Sequence, residues 1–193
     1  MFKLIAEAIQ NKVSSGRGPD GNPRDLAVDS EGHIYLNTKL FATPYVTIPG
    51  ITAADALDAG DAMGVMGVFG ADVDGNPLPE YGVLLGLELI DLDDDTLAPT
   101  IHIYTRPFAP TANDAALAHA LADAPNHLVS EPFPTWTDMG TFKKFNVVDM
   151  DKPYYSPAQA LYWQFSTAGT PTIASTAVMP QVRAHILPMT KPE

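Results

Sequence analysis

The chain has 193 residues, enough for one domain with a hydrophobic core. Its 11 Lys and Arg stand against 23 Asp and Glu, a formal charge of -12, and its longest basic run is Lys143-Lys144, so the clustered cations that DNA phosphates or an anionic membrane surface require are missing. The absence of cysteine excludes disulfides and thiolate metal sites, while 18 prolines and 14 glycines interrupt the chain too often for long helices but suit short strands joined by turns.

Residues 1–50 read as an N-terminal arm and residues 51–193 as a β-sandwich domain. Met1 to Val13 lacks the apolar stretch and small-residue cleavage site of a signal peptide. Phe2, Ile5, Ile9 and Val13 recur at helical spacing, which predicts a short amphipathic helix over Lys3 to Lys12. Two alternating runs around Ser30 to Gly32 predict a hairpin within Pro23 to Leu36. That stretch is similar to one β-propeller blade of the NHL-repeat kind, but a propeller needs several copies and no second one is present.

After Pro44, Pro49 and Gly50 the predicted strands are Ala62 to Phe69, Tyr81 to Leu92, Thr100 to Tyr104, Leu128-Val129, Phe145 to Val148, Gln159 to Thr167 and Thr176 to Leu187. A mainly β fold follows, a sandwich or jelly roll, with one short internal helix. That helix is placed at Asn113 to Asp123, where Leu117 and Leu121 stand at i, i+4 and Pro125 ends the run. Gly64, Gly67 and Gly70 fall within a strand pattern, where glycine permits bulges or close backbone packing.

The constellations that could carry chemistry each have a simpler explanation. Asp72, Asp74 and Asn76 open like a calcium loop, but loop position twelve, where a bidentate Glu belongs, is Val83. The segment is therefore read as a turn, as is the matching Asp20 to Pro23. Asp91, Asp93, Asp94 and Asp95 form a carboxylate cluster at a strand end, read as a solvated loop with weak divalent binding as the functional option. The histidines (His33, His102, His119, His127 and His185) include no i, i+4 pair and no zinc-protease pattern. Leu161, Trp163 and Phe165 share one face of a strand and Tyr162 and Gln164 the other, which reads as a core stripe with a half-exposed Tyr. Nucleophile-elbow and phosphate-loop motifs are absent. No catalytic, cofactor-binding or metal residue is assigned, no cofactor is expected, and the chain is read as not an enzyme.

The second half resembles the head decoration, or cement-like, structural proteins of tailed phages. The resemblance runs over residues 60 to 187 and rests on the order of its elements. A strand at Tyr81 to Asp91 ends in an aspartate-rich turn. Ile101 to Phe108 (IHIYTRPF) then leads into Thr111 to Leu117 (TANDAAL). The closing pattern is Leu161 to Thr172 (LYWQFSTAGTPT), Ala174-Ser175-Thr176 and Gln181 to Leu187 (QVRAHIL). The resemblance implies a jelly-roll-like antiparallel β-sandwich on the capsid surface that self-associates, commonly as a homotrimer, and binds the major capsid protein; the charge balance leaves no nucleic-acid or membrane partner expected. The alternative is a receptor- or glycan-binding module of the tail or head, for which exposed aromatics near Tyr154-Tyr155 would speak. A hydrolase on the same scaffold would need carboxylates and histidines converging on one pocket.

Overall fold

Runs of β-branched and aromatic residues with a two-residue period form the strands here, and prolines and glycines end them. The computed structural model describes residues 27–28, 34–35, 40–51, 57–92, 97–133, 136–171 and 179–189. The chain divides into two units, Met1–Lys39 and Leu40–Glu193. In the first, β1 (Ala27–Val28) and β2 (Ile34–Tyr35) pair antiparallel, with Val28 opposite Ile34, as the hairpin expected from the sequence requires. The predicted helix at Lys3 to Lys12, the turn at Asp20 to Pro23 and His33 lie outside the described residues, as do Asp93, Asp94 and Asp95.

The second unit holds β3 (Phe41–Ala42), β4 (Val46–Thr47), β5 (Ala62–Phe69), β6 (Tyr81–Asp91), β7 (Pro99–Tyr104), β8 (His127–Pro132), β9 (Trp136–Asp138), β10 (Lys143–Val147), β11 (Lys152–Tyr155), β12 (Leu161–Thr167) and β13 (Gln181–Pro188). One sheet has seven strands in the order β3-β13-β6-β10-β9, with β4 joined to β13 and β11 to β6; the other has four, β5-β12-β7-β8. All pairings are antiparallel. The expected mainly β, antiparallel sandwich is what forms. Residues 40–50, read from the sequence with the arm, belong to the second unit and supply β3 and β4 to the edge of the larger sheet.

Period-two alternation, shifted by one residue where the β6–β13 register slips between Leu84 and Gly86, decides which side chains meet between the layers. Leu84, Leu87 and Leu89 of β6, with Val182, Ala184 and Ile186 of β13, face Ile101 and Ile103 of β7 and the Leu161, Trp163, Phe165 stripe of β12 in one buried cluster. Each fully buried side chain of this size contributes about 1.5–3 kcal/mol. Trp163 packs against Phe69 and Phe165 with ring centroids 5.4 and 5.5 Å away. Its indole lies where a side chain on Gly67 would point: a β-carbon there would sit 2.2 Å from the ring.

Gly64 meets a different need. Between Met63 and Gly67, β5 advances four residues while β12 advances two, from Phe165 to Trp163, so β5 bulges. Gly64 takes φ 75° in this bulge and presses against the Pro49 carbonyl. Both glycines act as the strand pattern suggested.

The predicted helix at Asn113 to Asp123 does not form. Residues 111–118 turn at Asn113-Asp114 and bridge along the start of β5, where Asp114 N–H bonds Ala62 O (3.0 Å), Ala62 N–H bonds Ala115 O (2.8 Å) and Leu117 N–H bonds Gly60 O (3.0 Å). Asp114 has φ 60°, which no right-handed helix accommodates. The only helix among the described residues is a 3-10 turn over Leu121–Asn126. Strands β9 and β11 are additions to the sequence reading. Pro153 in β11 is tolerated because β11 pairs only with β6 among the described strands.

Candidate functional site

His102 points from β7 to the outer face of the four-stranded sheet, between neighbours that its register supplies. It stands opposite Ser130 of β8 and next to Ser166 of β12, and its ring nitrogens reach those hydroxyls at 2.8 Å (Nδ1) and 2.9 Å (Nε2). A neutral imidazole donates to one hydroxyl and accepts from the other. His127 Nε2 shares the Ser130 hydroxyl at 2.9 Å. The connection from β7 to β8 folds back over this face and brings His119 against His102, Tyr104 and Phe108, with ring centroids 5.2–5.3 Å apart. Both His119 nitrogens are buried without a hydrogen bond among the described residues. Burial, then the nearby His119 and His127, pushes the His102 pKa down to about 4. Burial lowers that of His119 as well, against a raising effect of Asp123. His102, His119 and His127 thus share one patch of rings.

Beside it, Gln164 of β12 is fully buried although it lies on the outer face. Its amide nitrogen donates to Thr111 O (2.6 Å) and Gly64 O (3.0 Å), and its oxygen accepts from Thr111 N–H (3.0 Å). Asn113 Oδ1 accepts from Gly64 N–H at 2.7 Å. Two side chains therefore satisfy the backbone of the Gly64 bulge and hold the 111–118 segment in place.

The outer face of the seven-stranded sheet is built around a charge. Glu88 of β6 accepts from Tyr45 OH (2.6 Å) and from Arg183 Nε (2.7 Å) of β13, with Lys144 Nζ of β10 at 3.3 Å and His185 Nε2 at 3.4 Å. The Arg183 guanidinium also lies 4.6 Å over the Tyr45 ring. Burial acts to raise the Glu88 pKa, but the Tyr45 hydrogen bond, Arg183 and Lys144 outweigh it and hold the carboxyl at about 2. Burial and the same carboxylate push the Tyr45 phenol up to about 12.

An open cleft of about 360 Å³ lies where the end of β7, the start of β8 and the end of β11 converge. Arg106, Asn126, His127, Pro153, Tyr155 and Pro157 line it. Tyr155 is 48% exposed and stacks on Tyr81 at 4.6 Å. Ser156 ties the cleft across the two sheets, donating its hydroxyl to Thr105 O (3.1 Å) and its N–H to Glu80 O (2.8 Å).

The other motifs singled out in the sequence resolve locally. Asp72 Oδ1 accepts from the N–H groups of Asp74 (2.9 Å) and Asn76 (2.8 Å), and Oδ2 accepts from the Asn76 amide (2.8 Å), which is turn chemistry. Asp91 is not a solvated loop residue but fully buried at the end of β6, opposite the buried Lys143. Leu161, Trp163 and Phe165 form the core stripe with Tyr162 half-exposed, as expected. Among the described residues no group of three or more His, Asp or Glu is placed to hold a metal ion, and no helix is long and apolar enough to cross a membrane. Sequence spacing gave no signal for the histidine patch or for the cleft, apart from the Tyr154-Tyr155 pair. Compared with known proteins, the chain matches no family model, no curated protein and no solved structure.

Proposed function

We propose that this chain is a virion structural protein that decorates or cements a capsid exterior, through self-association as a homotrimer and binding to the major capsid lattice. The observation that carries the reading is the free edge at β9. This three-residue strand closes one side of the seven-stranded sheet, pairs only with β10 among the described strands, and exposes all three of its residues. Trp136 is 45% exposed there, with Lys143 Nζ 4.6 Å over its ring and the exposed Met139 just beyond. Val148, which follows β10, is 70% exposed. A rigid sheet ending in a strand that has one partner among the described strands and outward aromatic and apolar side chains suits the addition of a neighbouring subunit. Trp is also the residue type most enriched among side chains that dominate interface energies.

A jelly-roll-like body with a separate N-terminal unit fits the same use. Contacts repeated around a closed lattice turn modest individual affinities into lasting attachment. The hydrolase reading asks for carboxylates and histidines converging on a pocket. His102 and His119 converge instead with serine hydroxyls and aromatic rings, and of the clustered histidines only His127 lines the cleft.

The test is co-sedimentation of the purified chain with capsids of its own phage stripped of this protein, together with light scattering of the free chain. A trimer that saturates the capsids is expected, and Trp136→Ala is expected to weaken either the trimer or capsid binding at least tenfold. A monomer that fails to sediment with capsids overturns the proposal.

A further inference from the structure

We infer that the cleft beside Tyr155 is a carbohydrate-binding site that takes a pyranose ring through its vicinal hydroxyls. The inference goes beyond the assembly role and does not depend on it.

Three observations combine. The first is a platform already in place. Tyr155 is fixed by stacking on Tyr81 at 4.6 Å, and Tyr154 by its hydroxyl donating to Pro79 O at 3.1 Å. A ligand resting on Tyr155 therefore does not have to order it. The aromatic face meets the apolar C–H face of a sugar, while the ring edge and hydroxyl stay in water.

The second is a set of uncommitted donors. The Arg106 guanidinium and the Asn126 side-chain amide form no hydrogen bond or ion pair among the described residues. An unpaired Arg is notable in a chain with 23 acidic and 11 basic residues. A guanidinium and an amide present the forked donors and acceptor that adjacent hydroxyls bind bidentately. His127 adds an imidazole on the same wall.

The third is rigidity and size. Pro125, Pro153 and Pro157 wall the cleft with fixed backbone, and the Ser156 bonds to Thr105 and Glu80 hold its two sides together. Its volume of about 360 Å³ lies near the lower end of small-ligand sites, roughly 300–1,000 Å³. Proline and tyrosine walls also suit a polyproline peptide, but the polar groups here are those a polyhydroxylated ligand uses.

The test is binding of the fluorescently labelled chain to a printed glycan array carrying neutral hexose oligosaccharides and oligosaccharides with carboxylated sugars, followed by titration of any retained glycan. The wild-type chain is expected to retain at least one pyranose class, and the two arms separate diol recognition from recognition of a carboxylate by Arg106. Tyr155→Ala and Arg106→Ala are each expected to weaken binding at least tenfold with an unchanged thermal midpoint, because both side chains are exposed. Met139→Ala, at the β9 end of the other sheet edge, is expected to leave glycan binding intact. Retention of no glycan in either arm overturns the inference, as does glycan binding indifferent to both cleft variants. Binding of a proline decapeptide without any glycan overturns it in favour of a peptide site.

Discussion

On the outer face of the four-stranded sheet, a long connection lies over the strands, and the polar side chains most enclosed there, Gln164, His102 and His119, are neutral. Gln164 clasps the Gly64 bulge and Thr111, His102 joins two serines, and His119 is packed among rings. On the outer face of the seven-stranded sheet no such connection among the described residues lies over Glu88, and four charged or ionisable partners converge on its carboxylate instead. The two faces belong to the same sandwich and have opposite relations to water. Where a segment excludes solvent, an ion would lose its hydration, so the chain uses amides, hydroxyls and unprotonated imidazoles. Where some solvent remains, as at Glu88, a carboxylate can stay ionised because several donors offset its partial burial.

The covered face has most to lose. Gln164→Leu keeps the volume but strips partners from Thr111 and Gly64 beneath the 111–118 segment. It is expected to lower unfolding stability by about 2–4 kcal/mol in urea titrations, and amide exchange of residues 111–118 should speed up with it.

Acid provides the next largest effect and separates the faces by pH. His102, held at about 4, and His119, also lowered, bind fewer protons folded than unfolded. Their contribution to stability is therefore complete above about pH 6.5 and is lost as pH falls from there through about 4. The expected loss is roughly 1–2 kcal/mol after allowance for partial exposure. A chain carrying His102→Gln and His119→Gln should show no slope in that window. A slope that survives the double substitution would mean that the covered face does not keep its histidines neutral.

On the open face, Glu88→Gln should cost about 1 kcal/mol or less. Because the Glu88 carboxyl is held at about 2, its contribution is present above about pH 4.5 and disappears as pH falls through 2, below the histidine window. Raising salt to about 1 M should shrink this cost in part, since these half-buried pairs are partly screened, and leave that of Gln164→Leu unchanged. If Glu88→Gln proves the more damaging of the two, the contrast between the faces is inverted. Least of all should come from Leu121→Ser: Leu121 is 89% exposed on the 3-10 turn, and the expected change is within about 0.5 kcal/mol.

The candidate cleft was partly legible. Tyr154-Tyr155 stands out in the sequence as an aromatic pair in a loop-rich stretch, and an exposed, stacked Tyr155 is what forms. Arg106 and Asn126 gave no signal, because they lie 49 and 29 positions earlier in the chain and meet Tyr155 only once β7, β8 and β11 have converged.

Sequence alone settled what depends on near neighbours. Proline and glycine spacing with two-residue alternation decided for strands, the Leu161, Trp163, Phe165 stripe identified a core face, and Asp72 with Asn76 specified a turn. Tertiary structure decided the rest, and the segment from Asn113 to Asp123 demonstrates the reason. Leu117 and Leu121 have helical spacing, yet the backbone from 111 to 117 is held in a turn and a bridge by Gly60, Ala62 and the Gln164 amide, partners about 50 positions away. Local propensity is worth tenths of a kcal/mol per residue, whereas a buried backbone group left without a partner costs about 1–3 kcal/mol. The bulge at Gly64 needed partners, and that long-range demand overrode the helical pattern.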